Sequence, residues 1–252
     1  MRYVHHTFDL CIELVRISLK RKTQGSLINL VWDILYPCSS LVIIAFFFRG
    51  SLGKDIAQYP LYVFIGLLHT IFIFTATRDA MKAMLENADI LKSVKLSPIT
   101  FIVASVLSAY LPILISWIFL FLFIVVQGDS TYYMFLFPLI FGIEFLLVTG
   151  ISLFLATIAV YVRELTRIWG MITSAGWIIL PVFYALDQQN DLVSKINYFN
   201  PLIQLISLSR SLFLYHNISI GNVLLLFVIS LVICISSLSV ISILKKNFIE
   251  LL

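Results

Sequence analysis

Apolar and polar positions alternate in long blocks along this chain, and the blocks differ in kind. Six apolar runs are near the roughly twenty residues a helix needs to cross a bilayer. They are Leu27–Phe48, Pro60–Thr77, Thr100–Val126, Tyr132–Tyr161, Ile168–Leu186 and Ile218–Leu244. The fourth is over-long, so its outer end near Pro138 and Gly142 is expected to be tilted, broken or interfacial. The fifth contains Gly170, Gly176 and Pro181, and a kink is expected near Pro181.

Two amphipathic stretches lie outside these runs. In the first 24 residues, Asp9, Glu13, Arg16 and Lys20 form a narrow polar stripe, with Val4, Phe8, Ile12, Val15 and Leu19 on the apolar side. Arg16, Lys20, Arg21 and Lys22 crowd its end, the pattern of a helix lying in the membrane interface beside anionic headgroups. A solvated helix packed on a partner protein is the plain alternative. The second stretch, Arg78–Pro98, is the longest polar interruption between two apolar runs. Met81, Met84, Leu85, Ala88 and Leu91 make an apolar stripe at helical spacing, while Arg78, Lys82, Glu86, Asp89 and Lys92 fall elsewhere on the wheel. A short amphipathic helix held against the membrane domain fits this pattern, and so does a solvated connector. A third, shorter segment starts at Asn200-Pro201, an N-cap followed by Pro in the first turn. Its Leu202, Leu205, Ile206, Ser209, Leu212 and Phe213 recur at helical spacing within the outer segment 187–217. It is too short to cross and too apolar for an ordinary loop, so a re-entrant or interfacial helix is expected, tolerated at membrane depth only where protein or a wet cavity surrounds it.

Composition agrees with the blocks. The 252 residues are 61% hydrophobic and 12% charged, against about half and a quarter in soluble domains. One all-α integral membrane domain over residues 1–252 is expected, inserted by its first span rather than by a cleavable signal peptide. With the N-terminus in the cytoplasm, thirteen of the 17 Lys and Arg fall on the inside, and only Arg49, Lys54, Lys195 and Arg210 on the outside. Both termini and Arg78–Pro98 are then cytoplasmic.

Chemistry is sparse. Gly53-Lys54 is followed by Asp55 and lacks the glycine spacing of a phosphate-binding loop. No metalloprotease motif, serine triad or paired carboxylates stand out. Cys11, Cys38 and Cys234 are far apart and odd in number, which argues against a disulfide framework or zinc site, and His5-His6 reads as an exposed pair. No catalytic residue and no metal are expected, nor any nucleic-acid partner. Among ionisable groups inside the spans, Glu144, Asp33 and His69 stand out. Glu144 has no intramembrane basic partner in this reading, and either serves transport directly, pairs with a Ser, Thr or Tyr hydroxyl on a neighbouring helix, or faces water. His69 is expected to be hydrogen-bonded between helices. Tyr36, Tyr62, Tyr110, Trp117 and Tyr184 lie deeper than the interfacial aromatics. They could pack in the core or stack on the C–H faces of sugars along a conduit.

Five segments in order carry a family resemblance: the basic N-terminus into GSLINLVWDILYP, then YPLYVFIGLL, the Arg78–Pro98 helix, VRELTRIWGMITSAGWIILPVFY, and NPLIQLISLSRSLFL. The chain resembles the ABC-2 type permeases, most closely those exporting O-antigen, capsular or teichoic-acid polymers. Arg163, Glu164, Pro181, Val182, Tyr184, Asn200, Pro201, Leu202 and Arg210 match the most specific part of the pattern. Departures are Glu164 where the family often has Asp, His69 where a proline is common, and Lys95-Leu96-Ser97-Pro98 in place of a Phe-Pro-Arg element. The resemblance implies a half-transporter that works as a homodimer. Each copy docks one separate ABC ATPase subunit, which carries the ATP and Mg; this chain holds no cofactor. It implies that the cytoplasmic helix is a coupling helix, with Met81, Met84, Leu85, Glu86, Asp89 and Leu91 toward the ATPase. It makes Asn200, Pro201 and Arg210 part of an outer gate. A lipid-linked glycan would be the substrate, its pyrophosphate meeting Arg16, Lys20, Arg21 and Lys22 at the cytoplasmic lip. A drug or small-lipid exporter of the same family, or a stand-alone secondary carrier, are the alternatives.

Overall fold

The computed structural model describes residues 2–23, 58–87, 97–126, 135–184 and 199–244, with Asn197 and seven isolated positions between 31 and 46. Seven helices are described in full: α1 (Arg2–Thr23), α2 (Tyr59–Glu86), α3 (Pro98–Val126), α4 (Phe137–Tyr161), α5 (Leu165–Ile179), α6 (Pro201–Phe213) and α7 (Ile220–Leu244). No strand occurs among the described residues. Helices α2, α3, α4 and α7 are long and apolar enough to cross a membrane. Most of the first predicted span lies outside the described residues. Val31, Trp32, Leu35, Val42, Ile43 and Phe46 are helical and exposed there, all on one helical face.

Helix α2 is the axis of the fold. It is apolar nearly all round and buried along most of its length, against α3, α4, α5 and α6. Pro60 stands in its first turn, where a missing N–H costs nothing. The helix does not stop at Thr77 as expected. Residues 78–86 contain no breaker and several strong helix formers, so the span and the start of the cytoplasmic stretch are one continuous rod. It ends at Asn87, whose side-chain amide donates to the Ala83 carbonyl at 2.8 Å. The expected separate helix over Arg78–Pro98 is therefore, in its first nine residues, the tail of α2. Its remainder, including Asp89 and Leu91, lies outside the described residues up to Ser97.

In the fourth run the break expected near Pro138 and Gly142 is absent: the helix runs unbroken from Phe137 through Gly142. One 3₁₀ turn at Phe135-Leu136 precedes α4, and Pro138 sits in the opening turn, so the proline starts the helix instead of breaking it. The fifth differs more. Rather than kinking at Pro181, α5 ends at Ile179, and Leu180 turns extended at φ −75°, ψ 137°. The residue before a proline is driven out of the helical region, and Pro181 cannot donate to the helix. At 15 residues, α5 is about 22 Å long, short of the roughly 30 Å hydrocarbon core.

Helices α4 and α7 form the most extensive pair. They meet at Gly150, where an added Cβ would lie 2.9 Å from the Cys234 nitrogen. Only a glycine permits that backbone approach. Helix α1 lies along α3, with Leu14 against the core and Asp9, Glu13, Arg16 and Lys20 exposed. The polar stripe expected there is the exposed face. The outer faces of α3 and α7 expose large apolar side chains such as Ile118, Phe119, Leu224 and Val232, a surface suited to hydrocarbon.

Candidate functional site

The break after α5 creates a chemical problem that the fold solves with side chains. Residues 181–184 leave the helical ladder, so their carbonyls need donors, and within a membrane domain there is little water to supply them. Each of the four is met. Arg210 of α6 donates from Nη1 to the Pro181 carbonyl at 2.7 Å and from Nη2 to the Val182 carbonyl at 3.0 Å. Tyr59 and Tyr62 of α2 donate from their hydroxyls to the carbonyls of Phe183 and Tyr184, at 3.1 and 3.0 Å. Arg210 also donates from Nε to the Tyr62 carbonyl at 3.1 Å, and its guanidinium lies 3.4 Å from the Tyr62 ring centroid. Arg210 is only 3% exposed. Three bonds in a fixed fork and one aromatic face hold this charge, and no carboxylate pairs with it among the described residues. Tyr184 donates back to the Ile178 and Ile179 carbonyls, closing the C-terminus of α5. Gly66 makes the space: a Cβ there would meet Arg210 Nη2 at 2.7 Å and Val182 Cα at 3.3 Å.

Beside Arg210, Ser209 takes part in a second buried group. His69 of α2 places Nδ1 2.7 Å from Glu144 Oε1 of α4 and Nε2 2.8 Å from Ser209 Oγ of α6. His69 and Glu144 are fully buried and Ser209 nearly so. With Glu144 ionised, Nδ1–H donates to the carboxylate and Nε2 accepts from the serine hydroxyl. The expectation that Glu144 has no intramembrane basic partner is overturned. The two residues are 75 apart in sequence, and only the packing of α2 on α4 joins them. The interhelical hydrogen bonding expected of His69 is present, on both ring nitrogens. Trp117 of α3 packs its ring 4.8 Å from the imidazole.

Asn200 caps α6, accepting from the Leu202 N–H at 3.0 Å, with Pro201 at the first turn as expected. Consecutive residues Ser209 and Arg210 then fasten this 13-residue helix to α2, and through His69 to α4, on one side and to the broken end of α5 on the other. Lower down, Trp169 donates to Thr77 Oγ1 at 2.8 Å and Arg78 to Thr173 Oγ1 at 3.3 Å, tying α5 to α2.

The remaining predicted residues are dispersed. Met81 and Met84 are wholly covered by this chain, Leu85 is half-buried, and Glu86 and Lys82 are exposed. The methionines thus face inward, and the outward side of the α2 tail is the charged one. Tyr62 and Tyr110 bury their rings in the core, Tyr110 among Phe72, Phe141 and Phe145, and Tyr184 is half-buried. Tyr36 lies outside the described residues. Arg16 and Lys20 are exposed on α1, Arg16 3.9 Å from Glu13; Arg21 and Lys22 are in its last turn, their side chains outside the described set. Tyr59, just before the second apolar run, is a donor that the sequence pattern alone does not single out. Its signal was the proline-broken helix, whose freed carbonyls call for hydroxyl donors.

Among the described residues the arrangement is a set of buried polar fasteners that tie α2, α4, α5 and α6 together. The family model for the ABC-2 type transporter matches residues 9–214. The chain is similar to the O-antigen export system permease protein RfbA of Klebsiella pneumoniae, 24% identical over 255 residues, covering 100% of this chain and 98% of the relative. It is also similar to the protein of the same name from Myxococcus xanthus, 23% identical over 254 residues, covering 99% and 98%.

Proposed function

Because the chain belongs to the ABC-2 type transporter family, we propose that it is the membrane permease of a polysaccharide exporter, moving a lipid-linked glycan across the cytoplasmic membrane under the drive of a separate ABC ATPase. One observation carries this reading: the end-to-end likeness to permeases named for O-antigen export. Two copies would form the pathway, each with one ATPase subunit. ATP-driven closure of the ATPase pair would push the tail of α2, where Glu86 and the half-buried Leu85 face outward, with Asp89 and Leu91 beyond. As one rod with the rest of α2, that tail would carry the push directly to Tyr59, Tyr62 and His69 without a hinge. Helix α6, fastened through Ser209 and Arg210 to α2, α4 and α5, would move with it as the outer gate. Of the aromatics expected along a conduit, Tyr36 and the half-buried Tyr184 would be the ones to meet the polymer, while Tyr62 and Tyr110 stay packed in the core. Arg16, Lys20, Arg21 and Lys22 would take the pyrophosphate at the inner lip, since compact diphosphates favour Lys and Arg donors.

The test uses the protein co-expressed with its cognate ATPase. Inverted vesicles loaded with lipid-linked glycan should move it to the lumenal side on addition of ATP. Leu85→Asp with Glu86→Arg should abolish both co-purification of the ATPase and transport, while the dimer survives. Stimulation of ATP hydrolysis by drugs or small lipids without glycan transport would favour the other exporter class. The buried His69–Glu144 pair is what a proton-coupled carrier would use. If Glu144→Gln abolishes transport driven by a proton gradient in vesicles lacking ATPase, that second reading replaces the first.

A further inference from the structure

Where α6 meets the first turn of α7, the chain forms a cleft of about 420 Å³. Its polar wall is made by Gln204, Ser207 and Ser211 of α6, by Asn217 and Ser219 of the connection, and by Asn222 of α7. Asn197, 5% exposed, also lines it. Gln204, Ser207 and Ser211 stand three and four residues apart, so they form one face of α6, distinct from the face that carries Ser209 and Arg210 inward. His216 takes a left-handed φ of 49° in the short connection, which brings Asn217 and Ser219 back to that face. The Asn217 N–H donates to the Ser211 carbonyl at 3.0 Å and fixes the return.

The composition of this wall is its most informative property. Every polar side chain in it is a neutral amide or hydroxyl, and no charged group lines it among the described residues. Amides and hydroxyls both donate and accept, which matches the donor–acceptor hydroxyls of a sugar ring. Ile203, Leu208 and Leu225 complete the lining with apolar side chains. The volume falls in the range of small-ligand sites, room for roughly one or two sugar units. The contrast within the same molecule is plain. The larger cleft of about 620 Å³ between α3 and α4 is walled by Phe121, Phe135, Phe137, Phe141 and Phe145 and suits hydrocarbon.

We infer that the cleft between α6 and the start of α7 is a binding site for uncharged saccharide, taking sugar units of the exported polymer beside the gate helix. The inference rests on the export reading for its biological ligand, but the site can be tested apart from it. Full-length protein in nanodiscs is examined by saturation-transfer NMR with free galactose, mannose and N-acetylglucosamine as probes, and glycerol 3-phosphate as a headgroup control. At least one sugar should receive saturation from the wild type, and the glycerol phosphate should not. Ser207→Leu with Ser211→Leu, and independently Asn222→Leu on the opposite wall, should each weaken that binding roughly tenfold, the loss of one or two hydrogen bonds. Both should leave dimer elution and ATPase association intact. Equal sugar signals in wild type and both variants, no sugar signal in the wild type, or a signal from glycerol phosphate alone would overturn the site. Glycan transport is scored separately. If transport persists with no sugar binding at the cleft, the site fails and the export reading stands. If sugar binds there but ATP moves no glycan, the export reading fails and the site stands.

Discussion

His69 and Glu144 show how much a single contact can rest on its partner. A carboxylate at 0% exposure is tolerable only while it is paired, and the imidazole at 2.7 Å supplies that pairing. Removing one partner should cost far more than removing both. His69→Leu is expected to destabilise the protein by about 2–3 kcal/mol, because Glu144 is left buried and alone. Adding Glu144→Leu should restore most of the loss. Unfolding equilibria of the two single variants and the double variant in lipid measure this coupling; additive costs would show that the pair does not interact as the geometry implies. His69 was legible as an interhelical polar residue. Its partner was not, since no local pattern ties position 69 to position 144. Arg210 was legible as part of a motif, and its task of capping the Pro181 and Val182 carbonyls emerged only once α5 was seen to stop.

At the scale of elements, glycines decide where helices approach and where they merely tolerate space. A Cβ on Gly150 would meet the α7 backbone at 2.9–3.0 Å, and backbone cannot swing aside as a side chain can. A Cβ on Gly142, in the same helix, would meet nothing within 4 Å. Gly150→Ala should therefore cost about 1–3 kcal/mol by forcing α4 and α7 apart. Gly142→Ala should be neutral or slightly stabilising, by helix propensity. Thermal unfolding in nanodiscs separates the two, and equal shifts would mean that the α4–α7 crossing is looser than its geometry. Helix ends follow the same division. The Asn200-Pro201 start of α6 is local chemistry and was readable. The continuity of α2 through Arg78 was missed because a change from apolar to charged residues marks a change of environment, not a change of backbone, and no Gly or Pro lies between Thr77 and Glu86.

At the scale of the molecule, the charge asymmetry makes a prediction the helix packing does not. With the native cysteines replaced by serine, Arg16→Cys on the exposed face of α1 should react with an impermeant maleimide only from the cytoplasmic side. Tyr215→Cys, after α6 and 55% exposed in the native residue, should react only from the other. The reverse labelling would invert the topology and move the neutral cleft to the cytoplasm.

Membrane character, the helical class, the amphipathic first helix, the capped short helix and the family likeness were all determined by the sequence alone, because each depends on composition, period or neighbouring residues. Tertiary structure decided what depends on distant parts of the chain. It turned Met81 and Met84 inward, since α2 is the axis and is covered by its own neighbours. It set four donors against four carbonyls freed by a proline. It gave Glu144 a histidine, and it brought residues 204–211 of α6 and 217–222 together around one cleft lined, among the described residues, by amides and hydroxyls. A hydrophobic period tells a helix which face to hide; which residues meet beneath that face is settled only by which helices pack together.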